Sequence, residues 1–190
     1  MDLNDNICFS GGARGADHAW GLMAEDQGHR VIHFSFKGHK TSIDQHVQIL
    51  TREELDEAEQ WVVAAAKPMK RRYVSAKDHV KDLLRRNWHQ IRYAERIYAV
   101  ARLVANDPGT LKISGGTAWA ATMYVERWYA ERNFAECELY LFDMESNKWM
   151  QWWETWKVID NPPVPHGRYA AIGSRDITDA GVEAIFRAYG

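Results

Sequence analysis

The sequence predicts an α/β protein: an open parallel sheet with helices on both faces. Three observations carry this. Short apolar runs, Ile7-Cys8-Phe9, Arg30–Ser35, Ile97–Leu103 and Tyr169–Ile172, read as buried strands, and segments of helical period lie between them. Two strand-to-helix junctions are glycine loops, Ser10-Gly11-Gly12-Ala13-Arg14-Gly15-Ala16-Asp17 and Ile113-Ser114-Gly115-Gly116-Thr117. A third junction, Gly173-Ser174-Arg175, ends an apolar strand late in the chain. Such junctions sit at the carboxyl ends of strands, where open α/β sheets take their ligands.

Length and composition narrow the possibilities. A chain of 190 residues with 46% hydrophobic content is expected to form one domain, 1–190, with a sizeable core. The net charge of −2, from 24 basic and 26 acidic side chains, argues against a general binder of nucleic acid or anionic membrane. Cys8 and Cys137 both lie in apolar runs, which fits buried free thiols and a reducing cytoplasm. There is no Cys-x-x-Cys or His-Glu-x-x-His, and the eight histidines are scattered, so no metal site is expected. No apolar run approaches ~18 residues and no signal peptide is visible, so a soluble cytoplasmic protein without membrane contact is expected.

In chain order, residues 6–10 form the first strand and the glycine loop leads into a helix that stops at Gly28. Glycines at this junction bring bare N–H groups close to a ligand, the helix N-terminus favours a phosphate, and Arg14 adds a bidentate fork. Gly-rich turns without a ligand are also common, and this one is neither the G-x-G-x-x-G fingerprint nor a P-loop. The second strand, 30–35, is followed by a loop in which Lys37, His39 and Lys40 either face a ligand or are solvated. Thr51 and Glu54 form a capping box for a helix over 51–66, which Lys67-Pro68 interrupts. The basic clusters Lys70-Arg71-Arg72 and Arg85-Arg86 read as solvated faces of a helical insertion spanning about 51–85. After the strand at 97–103, the second glycine loop opens a helix from Ala118 to about Glu131. A strand at 138–142 precedes a tryptophan-rich hairpin within about 143–160. There Trp149, Gln151 and Trp153 would share one face, either for packing or for stacking a nucleobase. Asn161-Pro162-Pro163-Val164-Pro165 reads as an extended linker to a last strand and helix, 168–190.

These motifs together resemble the SLOG superfamily, named from the DNA-processing protein Smf/DprA and the LOG cytokinin-activating enzymes, and its YpsA-like members. That family carries an opening strand ending in Gly-Ser-Arg, then a Ser-Gly-Gly-Ala-x-Gly-Ala-Asp loop, an Arg-Asn pair and a Gly-Gly-Thr loop. The counterparts here are Gly173-Ser174-Arg175, Ser10–Asp17, Arg86-Asn87 and Gly115-Gly116-Thr117. The Gly-Ser-Arg strand normally comes first, and here it comes last, so the resemblance implies a Rossmann-like sheet in circularly permuted order. Permutation places the Gly-Ser-Arg strand mid-sheet, between 6–10 and 97–103, with the hairpin near the far edge.

The resemblance implies binding of a nucleotide or nucleotide-derived small ligand and points to no cofactor with certainty. Gly11, Gly12, Gly115, Gly116 and Thr117 would cradle phosphate, with Arg14, Arg86 and Arg175 as charge partners. Gly15 and Gly173 belong to the same ligand-binding loops, and Ser10 and Ser174 add hydroxyls. Asp17 would cap its helix or hold a ribose hydroxyl, and Asn87 would tie loops together. LOG-type hydrolysis needs a carboxylate three residues beyond the threonine. Ala120 stands there, Glu126 lies more than two turns along, and Glu95 or Asp107 would have to substitute. The leading expectation is a sensor, carrier or sequestering protein, as a phage would use against host nucleotide signalling. A nucleotide-processing hydrolase, DNA binding and carriage of a pterin-type cofactor are the other readings, and a homo-oligomer is expected because such domains commonly pair.

Overall fold

The computed structural model describes residues 6–131 and 136–190. Ile7–Ser10 (β1) leads through the first glycine loop into Ala16–Asp26 (α1), and Arg30–Phe36 (β2) returns beside β1. Val47–Leu50 (β3) adds an edge strand that the mixed pattern of Val-Gln-Ile-Leu did not announce. Arg52–Glu57 (α2), Glu59–Met69 (α3) and Asp78–Ile91 (α4) then carry the chain across to Arg96–Ala101 (β4). Thr117–Ala130 (α5) connects to Leu139–Asp143 (β5), followed by Lys148–Trp152 (β6) and Trp156–Ile159 (β7). Arg168–Gly173 (β8) and Asp179–Ala188 (α6) end the chain.

The eight strands form one sheet in the order β3-β2-β1-β8-β4-β5-β6-β7. It is parallel from β3 to β5, and β6 and β7 join antiparallel. The last strand therefore lies between the first and the fourth. Strand alternation sends side chains to two cores. Along β4, Ile97, Ala99 and Ala101 face the core beneath α3, α4 and α5, with Val62, Leu84, Trp88 and Met123. Tyr98 and Val100 face the core beneath α1 and α6, with Trp20, Ala24 and Ile185. The sheet is thus covered on both sides, as a parallel sheet must be. Among the described residues, no helix is long and apolar enough to cross a membrane.

Several sequence boundaries shift. The Thr51 capping box forms, with Thr51 N–H donating to Glu54 Oε2 at 2.7 Å and Glu54 N–H to Thr51 Oγ1 at 3.2 Å. The expected helix over 51–66 is, however, two helices that break at Ala58, and Pro68 sits inside the last turn of α3 without ending it. Lys70 ends that helix in a left-handed conformation, φ 52°. Arg86 and Asn87 belong to α4, whose length places them on a helix face packed against the sheet. The tryptophan-rich hairpin continues the sheet: Trp149, Met150, Trp152 and Trp156 are buried in the two cores, while Trp153 sits in the turn, 42% exposed. Trp153 therefore does not share a strand face with Trp149.

Candidate functional site

From β1 the chain runs outward through β2 to β3, and from β4 outward through β5, so connectivity reverses at the middle of the sheet. There, at the carboxyl ends of β1, β8 and β4, a cleft of about 680 Å³ opens. Its size is that of a small-molecule site. The helices α1, α5 and α6 follow strands that end at this edge, and their N-termini differ. Ala16 N–H at the start of α1 donates to the Ser174 carbonyl at 2.9 Å, so the loop after β8 covers that end. α6 is capped by Thr178, whose Oγ1 accepts from Gly181 N–H at 3.1 Å. α5 has Gly116 at its N-cap, no side-chain cap and no acidic residue in its first turn. Gly115 and Gly116 are exposed on the cleft, and a Cβ built on either meets nothing within 4 Å. The first N–H groups of α5, which have no partner within the helix, thus open onto the cleft with the positive end of its dipole.

The cleft's charged floor is Arg86. Its side chain comes from α4, the residue is 6% exposed, and Nε and Nη1 are buried without a hydrogen-bond partner. Nη1 lies 3.8 Å from Asp17 Oδ2, near enough for charge attraction and too far for a hydrogen bond. Burial pulls the Arg86 pKa down, and Asp17 opposes this. Burial pushes Asp17 up, while Arg86 and backbone donors pull it back. Asp17 accepts from Gly173 N–H at 3.1 Å and Gly11 N–H at 3.2 Å, with Gln90 Nε2 at 3.5 Å. It clamps the ends of β1 and β8 together beneath the cleft. Its side chain does not cap α1.

Nine sequence-predicted residues line the cleft together: Asp17, Arg86, Asn87, Gly115, Gly116, Thr117, Gly173, Ser174 and Arg175. Asn87 Nδ2 reaches the Gly116 carbonyl at 3.4 Å, tying α4 to the second glycine loop. The first glycine loop is different. Gly11 and Gly12 are buried, Gly11 N–H is bound by Asp17, and Gly12 N–H donates to Ser10 Oγ at 3.3 Å. Ser10 Oγ in turn donates to the Asp17 carbonyl at 3.1 Å. These residues do not face the cleft, because their polar groups hold the turn itself. Gly15 sits at φ 89° with the Ser174 and Arg175 carbonyls where its Cβ would be, a position for close packing of two loops. Arg14 turns away from the cleft and pairs with Asp176 at 3.1 Å.

The rim also holds Arg71 and Arg72, which the sequence pattern had placed on a solvated face. Arg71 Nη1 donates to the Gly115 carbonyl at 3.1 Å. The connection between α3 and α4 crosses the carboxyl edge of the sheet, and that topology alone could have pointed to them. Val80, Leu83, Leu84, Trp119 and Ile172 contribute apolar surface to the cleft. The carboxylates lining it are Asp17 and Asp176. Glu126 lines a separate pocket beside Tyr129, Glu95 pairs with Arg168 and Arg96, and Asp107 pairs with Lys112. Neither Glu95 nor Asp107, the two substitutes that the sequence offered, lines the cleft, and neither does Glu126. Among the described residues no group of three His, Cys, Asp or Glu could hold a metal ion.

Compared with protein-family models, curated proteins and solved structures, the chain matches none.

Proposed function

We propose that the cleft binds a nucleotide or nucleotide-derived small ligand, its phosphate on the N-terminus of α5 and its base against the Val80–Leu83–Trp119 surface. The observation that carries this is Arg86: a buried guanidinium in the lining of the cleft, with no carboxylate oxygen nearer than Asp17 Oδ2 at 3.8 Å, sharing that cleft with the uncapped N-terminus of α5. An anion in the cleft supplies the missing negative charge, and the apolar surface supplies the reason for a larger ligand than phosphate. Binding without turnover fits Asp17, the buried carboxylate of the cleft, which is engaged by the backbone donors of Gly173 and Gly11. The SLOG resemblance points the same way, and with it a permuted strand order.

The test is native mass spectrometry of the purified protein, followed by titration calorimetry with adenine and guanine nucleotides. Gly116→Val is the decisive variant. It has ordinary φ, and its side chain would fill space that is empty now, so the fold survives while phosphate is blocked. Intact nucleotide bound by wild type and lost in Gly116→Val and Arg86→Met is the expected result. Failure of every nucleotide to bind, or affinity unchanged in both variants, overturns the reading, and nucleotide recovered as hydrolysed products replaces it with the hydrolase.

A further inference from the structure

A second basin of about 430 Å³ opens next to the cleft, and Ala13 and Arg175 line both. Three connections and the first turn of α4 build it. Arg14 comes after β1, His39, Lys40 and Ser42 come from the β2–β3 connection, His79 from the first turn of α4, and Arg175 after β8. Arg14, Lys40 and Arg175 carry full positive charges, and among the described residues no carboxylate lines the basin. Asp176, the partner of Arg14, lines the cleft, and the two side chains are 74% and 88% exposed. A pair so exposed is worth little and exchanges readily for a better anion.

The basin is built rather than loose. Ser42 N–H donates to the Gly12 carbonyl at 2.8 Å and its Oγ to the same oxygen at 3.1 Å, which anchors the β2–β3 connection to the first glycine loop. The His39 ring stacks on Phe36 at 5.2 Å and 19°, and the His79 ring lies 5.6 Å from the same phenyl. His39 Nδ1 is 3.0 Å from Ser35 Oγ, so Nε2 is the nitrogen left for a ligand. Burial, followed by the charges of Arg86, Arg175 and His79, pushes the His39 pKa down to about 4. Like charges brought together from separate connections repel, and an anion relieves that repulsion.

We propose that this basin takes a second phosphate of the same ligand, which makes the ligand of the cleft a nucleoside di- or triphosphate laid across Arg175. The proposal rests on the nucleotide reading of the cleft. It assigns the base and first phosphate to the cleft, and the terminal phosphate to Arg14, His39, Lys40 and His79. It also gives the first glycine loop a role: its backbone does not hold phosphate, and it carries Arg14 and anchors Ser42 at the basin's wall.

The experiment is calorimetry with AMP, ADP and ATP, the matching guanine series, and inorganic triphosphate, on wild type and on His39→Gln/Lys40→Gln. Both substituted residues are partly or fully exposed and outside the cleft, so the fold is retained. The expected result is a triphosphate bound about tenfold or more tighter than its monophosphate in wild type, the scale of one charge-assisted contact. The double variant should lose that ratio while monophosphate affinity stays within about twofold, a residual set by screening. Equal affinity for mono- and triphosphate in wild type, or a ratio unmoved in the variant, overturns the extended ligand and leaves the cleft reading intact. Inorganic triphosphate binding as tightly as the nucleoside triphosphate overturns it too, since the basin would then serve a free polyanion. No nucleotide of any length binding overturns both.

Discussion

Gly11 and Arg86 divide one volume between them. A Cβ on Gly11 would overlap Arg86 Nη1 and crowd Asp17 Oδ2, so Gly11→Ala must push the guanidinium off its carboxylate. Breaking a buried pair on one side costs roughly 3–5 kcal/mol. We expect a loss of that order in urea unfolding, against near-neutrality for Gly116→Val, and a loss under 1 kcal/mol at Gly11 would show that the pair is not held there. His33 poses a different problem. It is fully buried between Gly12 and Gly21, with neither ring nitrogen partnered. Burial, then His46 and His18, pushes its pKa down to about 4. An unfolded histidine titrates near 6.5, so between these values the unfolded chain takes up a proton that the folded one refuses. The stability this contributes is full above about pH 6.5 and is lost as pH falls towards 4, on the order of 2 kcal/mol. His33→Leu should flatten the stability curve over that window relative to wild type, and parallel curves would mean the ring is hydrated.

At the scale of elements, the tryptophan-rich hairpin supports the second glycine loop. Asn106, in the connection between β4 and α5, mimics a strand: Nδ2 donates to the Trp156 carbonyl at 2.9 Å, and Oδ1 accepts from Trp156 N–H at 2.9 Å. The Trp156 indole N–H donates to the Leu111 carbonyl at 2.8 Å, and Leu103 and Ile113 form a bridge just before Gly115. Asn106→Ala leaves two backbone groups of β7 unpaired, so we expect a loss of about 1–3 kcal/mol. Amide exchange should quicken over residues 104–113, and slowed or unchanged exchange there would dissociate hairpin from loop. This support was invisible in the sequence, where Asn106-Asp107-Pro108-Gly109 reads only as a turn. Strands and glycine junctions were legible because an apolar run and a Cβ-free turn are local signals. Which glycine amides are free was not. Ser10-Gly11-Gly12 and Ser114-Gly115-Gly116 look alike in the chain, and only tertiary packing of Asp17 and Arg86 closes the first while leaving the second open. Arg71, Arg72 and β3 were missed for the same reason: their roles depend on where a connection crosses the sheet.

At the scale of the whole molecule, the first described residue, Asn6, and the last strand and helix meet at one histidine. His29 Nδ1 lies 2.8 Å from the Tyr169 hydroxyl, its Nε2 is 3.2 Å from Asn6 Nδ2, and its ring centroid is 5.7 Å from that of Tyr189. Tyr169 and Tyr189 share a 2.9 Å hydrogen bond, and Gly167 N–H donates to Asn6 Oδ1 at 2.7 Å. The end of α6 and the start of β1 therefore sit on the same edge of the sheet, around β8. Because β8 pairs with both β1 and β4, a chain ending at Pro163 lacks its central strand and leaves backbone groups on both neighbours unpaired. We expect it to be unfolded by circular dichroism. The same segment moved to the front should behave oppositely. A chain starting at Val164, with Gly190 joined to Asn6 by a short Gly-Ser linker, keeps every strand pair and cuts only between the exposed Pro163 and Val164. In that chain β8, β1, β2 and β3 run outward consecutively from the cleft. Cooperative unfolding close to that of wild type would show that the order of this chain is one of two that its sheet accepts. An unfolded permutant would mean that a free end at β1 or α6 is needed, and that the shared contacts on His29 do not bring the termini within a linker's reach.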